Sequence, residues 1–526
     1  MQLCESPLEM PACKCSIETP RSSGILLHPT SLHGRNGIGE LGAEAFEFID
    51  FLYAAGQKLW QVLPLNPTGY GDSPYQCFSA FAGNPLLISL DRLAESGVLD
   101  RAEFQRDAAF CDCQVDFGRV IPYKFARLRA AAEAFLRDAC AAQISELEAF
   151  REAQQRWLPD FVLFMAAKEA HGGAAWTEWD PALAARDPEA IEYWRQRLSR
   201  QIAYHEYWQF EFFRQWRAIQ KRCAERGIRI MGDAPTYVAH DSADVWANQN
   251  LFFLDDTGRP VKVAGVPPDY FSATGQLWGN PIYRWDLMRE TGYQWWIDRL
   301  RAIFSLFDII RLDHFRGFEA YWEIPASEPT AVNGRWVKGP GRELFLALQN
   351  ALGRLPVVAE NLGVITPEVE ALRKEFGFSG MAIAQFAFSK DAQAPTFRPH
   401  NYVRELVAYT GGHDNDTVMG WWRAGIGDST RTEAELVKEK NDAAAYFGVP
   451  RGQLDREVNW IFIRAIYGSV ANTVLVPMQD VLGLGSEARM NLPGSMGRNW
   501  KWRMQPGSLM PELAARLREF TEIYER

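Results

Sequence analysis

Short apolar runs typical of β-strands recur along the chain, and each ends in a polar or glycine-bearing turn. Amphipathic stretches with helical spacing lie between several of these runs, at residues 43–55, 293–307, 342–352 and 367–376. Eight strands that alternate with helices predict an α/β fold in which a closed (β/α)8 TIM barrel forms the core. The predicted strands are residues 25–31, 58–65, 228–233, 309–313, 357–360, 381–387, 406–410 and 473–478.

The spacing of the runs is uneven, with about 160 residues between the second and third and roughly 75 between the third and fourth. These gaps predict insertions into a catalytic barrel that spans residues 23–526. Residues about 86–226 have mainly helical patterns. Residues about 238–300 are rich in Gly, Pro, Asp and aromatic side chains, so we expect a loop-rich insertion at the active site. Residues 1–22 are predicted to be a disordered N-terminal extension.

Composition and charge narrow the classes of partner. The 526 residues carry a net charge of -10, and the chain has no block of Lys and Arg that could neutralise phosphates. We therefore expect neither nucleic acid nor an anionic membrane as a partner. No apolar run reaches the roughly 18 residues of a spanning helix, and the N-terminus lacks the apolar core of a signal peptide, which predicts a cytoplasmic protein.

All eight cysteines lie in the first half of the chain, at positions 4, 13, 15, 77, 111, 113, 140 and 223. We interpret them as reduced thiols. A metal site made by Cys4, Cys13 and Cys15 is less favoured, because the C-x-C spacing differs from the C-x2-C of zinc sites and no histidine lies nearby. We expect neither a bound metal nor a cofactor.

The ends of the predicted strands supply the candidate catalytic groups, since barrel enzymes hold their active sites there. Arg311 and Asp313 close the fourth run on the same face, and a cation beside an acid keeps the acid ionised, as a nucleophile requires. A buried Arg/Asp pair that only closes the barrel is the alternative.

Glu360 follows the apolar fifth run, where apolar walls would raise its pKa as a general acid requires. Its alternative is an acid at a helix N-terminus or in a barrel salt bridge.

A third carboxylate closes the seventh run, in the sequence Gly411-Gly412-His413-Asp414. The glycines let the backbone approach a ligand, and the acid could bind two sugar hydroxyls. An Asx-rich turn that caps a helix is the alternative, which we prefer only for Asn415 and Asp416. Three acids at strand ends are less expected by chance than any single one, and glycoside chemistry needs two carboxylates.

These segments resemble the short sequence regions of the α-amylase clan, and in detail they resemble the 4-α-glucanotransferases, the family of amylomaltase and disproportionating enzyme. The resemblance covers the chain from about Ser23 onward. The matching segments are His28-Pro29-Thr30-Ser31-Leu32, Gly69-Tyr70-Gly71-Asp72-Ser73-Pro74-Tyr75, Gly232-Asp233-Ala234-Pro235, His240-Asp241-Ser242-Ala243-Asp244-Val245-Trp246 and Asn491-Leu492-Pro493-Gly494-Ser495.

The resemblance implies a retaining transfer of a 4-α-glucanosyl segment from an α-1,4-glucan donor to the 4-hydroxyl of glucose or of a maltooligosaccharide. It implies that Asp313 is the nucleophile, Glu360 the acid/base and Asp414 the transition-state stabiliser. Residues 265–271 resemble a mobile loop over the groove. The implied substrate-binding residues are Ser73, Tyr75, Asp233, Tyr270, Phe271, Gln276, Trp278, Asn280, Arg311 and His413.

Two positions depart from the family pattern. Asn361 stands where aspartate usually follows the glutamate, so the charge next to Glu360 is missing, and Ser495 stands where threonine is commoner.

Three other functions remain as alternatives. The same carboxylates would serve an α-glucan hydrolase, and a protein that lacked catalysis could still bind glucan. A phosphate-binding barrel is disfavoured because no glycine-rich phosphate loop follows the seventh or eighth strand.

Overall fold

The computed structural model describes residues 20–526 except 106, 108, 269–271, 426–431 and 496. The described residues form twelve β-strands. In chain order these are Ser22–Leu26 (β1), Leu59–Gln61 (β2), Arg229–Ala234 (β3), Lys262–Val266 (β4), Gln276–Pro281 (β5), Ile309–Leu312 (β6), Ala320–Pro325 (β7), Arg335–Lys338 (β8), Val357–Ala359 (β9), Gly380–Ile383 (β10), Leu406–Tyr409 (β11) and Thr473–Pro477 (β12).

Helices cover the outside of the barrel and fill the largest insertion. In the described part of the chain they are Ala43–Ala54 (α1), Leu90–Glu95 (α2), Phe117–Asp138 (α3), Ala141–Ala153 (α4), Leu158–Ala170 (α5), Pro181–Ala184 (α6), Pro188–Arg197 (α7), Ser199–Glu225 (α8), Ala243–Ala247 (α9), Trp285–Glu290 (α10), Gln294–Leu306 (α11), Gly341–Leu352 (α12), Pro367–Glu375 (α13), Val418–Arg423 (α14), Glu433–Phe447 (α15), Arg451–Tyr467 (α16), Met478–Val481 (α17) and Pro511–Ile523 (α18). Short 3-10 turns connect several of them.

Eight parallel strands form the barrel, in the order β10-β11-β12-β1-β2-β3-β6-β9. A parallel bridge between Val358 and Ser379 joins the two ends of this sheet, so that the barrel closes on itself. Each of the eight runs predicted from the sequence corresponds to one of these strands, and the predicted TIM barrel is confirmed.

The barrel interior is packed with side chains and is not a pore. Alternate residues of the strands point inward and form one apolar cluster, which includes Leu59, Met231, Val358, Met381 and Leu475, all buried. Because this cluster fills the middle of the barrel, polar side chains at the carboxyl ends of the strands are held in one layer above it.

The insertion between β2 and β3 is mainly helical and contains α2 to α8. The long helix α8 packs against the barrel, and its side chains bond to the chain that leaves β2. Gln209 donates to the carbonyl of Gly83 at 2.8 Å and accepts its amide at 2.8 Å. Gln215 accepts the amide of Ser89 at 2.7 Å. These buried bonds fix the helical insertion beside the barrel.

The segment expected to be loop-rich, residues 238–300, contains regular structure that the sequence analysis did not predict. Strands β4 and β5 pair in antiparallel fashion, and β7 and β8 extend them to a four-stranded sheet in the order β5-β4-β7-β8. Two of these strands come from residues after β6. Because the pairing joins segments distant in sequence, the local Gly- and Pro-rich pattern gave no sign of it.

The predicted N-terminal extension lies largely outside the described residues, as do Cys4, Cys13 and Cys15. Strand β1 begins at Ser22, inside the predicted extension, and the Arg21 guanidinium donates to the carbonyl of Ser469 at 3.0 Å. The described cysteines are free thiols, and the described residues hold no cluster of three or more His, Cys, Asp or Glu side chains that could bind a metal. None of the described helices is long and apolar enough to cross a membrane.

Candidate active site

Three neighbouring barrel strands bring acidic side chains to one edge. Asp233 is the fifth residue of β3, Asp313 follows β6 directly, and Glu360 follows β9 directly. The adjacent order β3-β6-β9 places their ends side by side. Asp313, Glu360 and Asp414, the last from the loop after β11, all line one open groove with a volume of about 1010 Å³. The three predicted catalytic carboxylates therefore share one site.

Arg311 lies between two of the acids. One of its guanidinium nitrogens, Nη1, is 2.8 Å from Oδ2 of Asp233 and 2.8 Å from Oδ1 of Asp313. The side chain of Arg311 is 8% exposed, that of Asp233 is fully buried, and that of Asp313 is 29% exposed. Burial raises the pKa of Asp233, and the cation opposes that rise. The partly open carboxylate of Asp313 is the one that faces the groove.

Glu360 is held by main-chain donors rather than by a cation. Its Oε2 accepts the amide of His314 at 2.9 Å, and its Oε1 accepts the amide of Leu362 at 2.8 Å. His314 itself adopts a left-handed conformation, with φ at 48°. Burial raises the pKa of Glu360 to about 7, against the charge of Arg311, which lowers it. Such a carboxyl group can hold and release a proton near neutral pH.

Asp414, in the loop after β11, is oriented by two neighbours. Asn491 donates through Nδ2 to its Oδ1 at 2.6 Å, and Nε2 of His413 is 3.3 Å from the same oxygen. The guanidinium of Arg489 donates to the main-chain carbonyl of Asp414 at 2.6 Å. The side chain itself is 51% exposed, so its second oxygen remains open to the groove.

Tyr75 contacts both Asp233 and His413. Its hydroxyl donates to Oδ2 of Asp233 at 2.9 Å and lies 3.4 Å from Nδ1 of His413. Its ring stacks on the His413 ring, with centroids 4.9 Å apart and an interplanar angle of 16°, and packs against Trp500 at 5.7 Å. An aromatic platform beside carboxylates suits the apolar face of a sugar ring.

The structure places the remaining predicted residues as follows. Ser73, Gln276, Trp278 and Asn280 all line the groove. Ser73 accepts a hydrogen bond from the Tyr75 amide at 3.2 Å, and Gln276 accepts one from the Trp278 indole N–H at 3.1 Å. Asn280 is buried, and its side chain bonds to Gln76 and to the carbonyl of Val238 within the protein. Tyr270 and Phe271 lie outside the described residues.

The two departures from the family pattern have structural roles. The Nδ2 of Asn361 donates to Oε1 of Glu370 at 2.7 Å, and its Oδ1 accepts the Met381 amide at 2.8 Å. The amide thus braces α13 against β10, and it is burial that keeps the pKa of Glu360 high. Ser495 donates to the carbonyl of Leu492 at 2.7 Å within its own turn.

Sequence reasoning assigned no role to several residues that the groove contains. Asn491 stood in a matching motif, yet only its contact with Asp414 gives it a function. Trp500 is separated from Tyr75 by most of the chain, and its ring packs against the Tyr75 ring. Asn499 next to that tryptophan, in a polar stretch, was the only available signal. Trp336 gave no signal at all, because its strand β8 was not predicted.

Known proteins resemble this chain in sequence and in fold. Residues 27–510 match the profile of a family described as 4-alpha-glucanotransferase. The 4-alpha-glucanotransferase of Thermus thermophilus is 51% identical over 512 residues, which are 97% of this chain and 100% of that protein. That of Synechocystis sp. is 51% identical over 509 residues, which are 96% of this chain and 98% of that protein. Amylomaltase from Streptococcus agalactiae, solved in complex with acarbose, superposes with a TM-score of 0.90 at 40% identity, covering 96% of this chain and 99% of that one.

Proposed function

The chain belongs to the 4-alpha-glucanotransferase family and is a glycosyl-transferring enzyme, and from that premise we propose that Asp313, Glu360 and Asp414 carry its chemistry. The observation that carries the proposal is the pairing of two unlike carboxyl groups. Asp313 lies beside the Arg311 cation, and Glu360 lies in a buried setting that raises its pKa to about 7. Two carboxyl groups in such different environments can take different roles, one as the nucleophile and the other as the acid.

In the first half of the reaction the carboxylate of Asp313 attacks the anomeric carbon of the donor. The bond from that carbon to the glycosidic oxygen breaks, and protonated Glu360 gives its proton to the leaving oxygen. The departing glucan leaves a covalent glycosyl-Asp313 ester and an ionised Glu360. The amides of His314 and Leu362 then stabilise the new carboxylate.

In the second half an acceptor sugar replaces the departed chain. Glu360 takes the proton from the 4-hydroxyl of glucose or of a maltooligosaccharide, and the hydroxyl oxygen attacks the anomeric carbon. The ester bond to Asp313 breaks, and both carboxyl groups return to their first state. Two inversions at one carbon retain the α configuration.

The binding residues orient the sugar at the cleavage point. We assign sugar-hydroxyl recognition to Asp414 and His413 and a stacking platform to Tyr75, because these side chains line the groove around the two catalytic acids. Ser73, Gln276, Trp278 and Asn280 would contact the chain on the wall beside them. Arg311 and Asp233 would act from below by holding Asp313. Tyr270 and Phe271 retain their proposed part in covering the groove.

Water would compete with the acceptor for the covalent intermediate. Transfer requires that a bound sugar hold its 4-hydroxyl in attacking geometry while water is excluded. A groove that includes the aromatic side chains Tyr75, Trp278, Trp336 and Trp500 supports sugar binding over free access of water. The binding of acarbose by the Streptococcus agalactiae amylomaltase supports the same class of ligand here. We further propose a cytoplasmic role on maltodextrins derived from starch or glycogen.

Purified protein incubated with maltotriose tests the assignment. Transfer forms one α-1,4 bond for each bond broken, so reducing ends stay constant while glucose and chains longer than maltotriose accumulate. Added glucose should shorten the product ladder by acting as an acceptor. Asp313→Asn should abolish the ladder at unchanged melting temperature. A gain in reducing ends with no product longer than maltotriose would show hydrolysis instead.

A further inference from the structure

We infer that Trp336 forms a glucose-binding platform on the acceptor side of the groove, one sugar unit or more beyond the unit next to Glu360. The inference rests on the proposed function, because it needs an acceptor glucan in this groove. Trp336 lies on β8 and is 39% exposed, whereas every other tryptophan in the described part of the chain is buried or half-buried. An exposed tryptophan on a groove wall is a typical contact for the apolar face of a sugar.

The hairpin of β7 and β8 fixes the ring before any ligand arrives. Trp336 is the cross-strand partner of Trp322, and the two rings meet edge to face with centroids 5.2 Å apart. The guanidinium of Arg316 lies over the Trp336 ring, 3.7 Å from its centroid. These two contacts hold the indole in one orientation. The Trp336 side chain would therefore lose little rotamer freedom when a sugar stacks on it.

Arg316 connects this ring to the catalytic loops. It lies three residues after Asp313, and its Nη1 donates to the carbonyl of Val364, in the loop that follows Glu360. Gly363, Val364, Arg316 and Trp336 all line the same groove. The wall that holds Trp336 is therefore the wall that begins at Glu360.

The position of the acid/base decides which end of the glucan meets this wall. Glu360 protonates the glycosidic oxygen that leads to the leaving chain, and later it deprotonates the acceptor at the same place. Sugars beyond Glu360 are therefore those of the leaving or accepting chain. Trp278 packs edge to face on His314 at 4.8 Å, and His314 bonds to Glu360, so these residues border the first such unit. Trp336 then meets a unit farther out.

The test uses α-maltosyl fluoride as donor, because fluoride leaves the acceptor side empty. A burst of fluoride reports formation of the glycosyl-enzyme, and the acceptor-stimulated rate that follows reports transfer to glucose, maltose or maltotriose. Trp336→Ala should leave the burst and the glucose-stimulated rate within about twofold of wild type. It should lower kcat/KM for maltotriose as acceptor about tenfold, which corresponds to ~1.4 kcal/mol. Trp336→Phe should recover most of the loss.

Arg335→Ala is the matched control, since Arg335 precedes Trp336 on β8 and pairs with Glu323 at 2.8 Å instead of lining the groove. It should change none of these rates. Equal loss for glucose and maltotriose, or no loss for either, would overturn the inference. A changed burst would place the tryptophan on the donor side and would overturn it as well. Wild-type protein that shows no stimulation by any acceptor would instead contradict the proposed function.

Discussion

Replacing Arg311 by methionine should move the alkaline limb of the pH-activity profile to higher pH while lowering the maximum. At the 2.8 Å separations seen here and an effective dielectric constant of about 20, the cation attracts each of Asp233 and Asp313 by about 6 kcal/mol. Loss of that attraction leaves two carboxylates close together in a largely buried site. The attacking carboxylate then lacks the cation that stabilises its negative charge, so the maximum rate falls.

The loss of Arg311 also changes the pKa of Glu360. Burial raises its pKa to about 7, and Arg311 is the largest influence that lowers it. Without Arg311 the pKa of Glu360 rises further, and the protonated acid that donor cleavage needs persists to higher pH. The alkaline limb, expected near pH 7 in the wild type, should therefore shift upward in Arg311→Met and shift less in Arg311→Lys, which keeps a positive charge.

Initial rates of maltotriose conversion, measured between about pH 5 and 9, give the profile as kcat/KM. Thermal melting of each variant at each pH separates unfolding from loss of activity. A lower maximum with an alkaline limb at the wild-type pH would refute the reasoning, because Arg311 would then act on geometry and not on charge.

Two further predictions concern stability. Lys124→Met should destabilise the protein by about 3–5 kcal/mol in urea unfolding, because it leaves the buried Glu40 carboxylate without its cation, and adding Glu40→Leu should restore most of the loss. Equal stability of the single and double variants would contradict this. Gly232→Ala should lower the free energy of unfolding by ~1–3 kcal/mol, since the new methyl group would lie 2.1 Å from the buried Phe307 ring. It should also lower activity, because Gly232 directly precedes Asp233 on β3. Unchanged melting and activity would show that the strand accommodates it.

The barrel and the candidate acids could be predicted from the amino-acid sequence alone. Each barrel strand is a local apolar run buried on both faces. Such runs can be recognised in the sequence without knowing which strands they pair with. Asp313, Glu360 and Asp414 could be identified because each directly follows or closely follows such a run, and the carboxyl ends of barrel strands meet at one edge. The order of the strands in the barrel also follows the chain, so neighbouring acids could be expected to meet.

The surroundings of those acids could not be predicted from the sequence, because they depend on tertiary contacts. The four-stranded antiparallel sheet joins β4 and β5 to β7 and β8 across the intervening β6, and no local pattern encodes that pairing. The sequence suggested that Arg311 serves Asp313, whereas the fold divides it between Asp313 and Asp233. It also brought Trp500 onto Tyr75. These contacts depend on the close packing of segments far apart in the chain, and only folding brings such segments together.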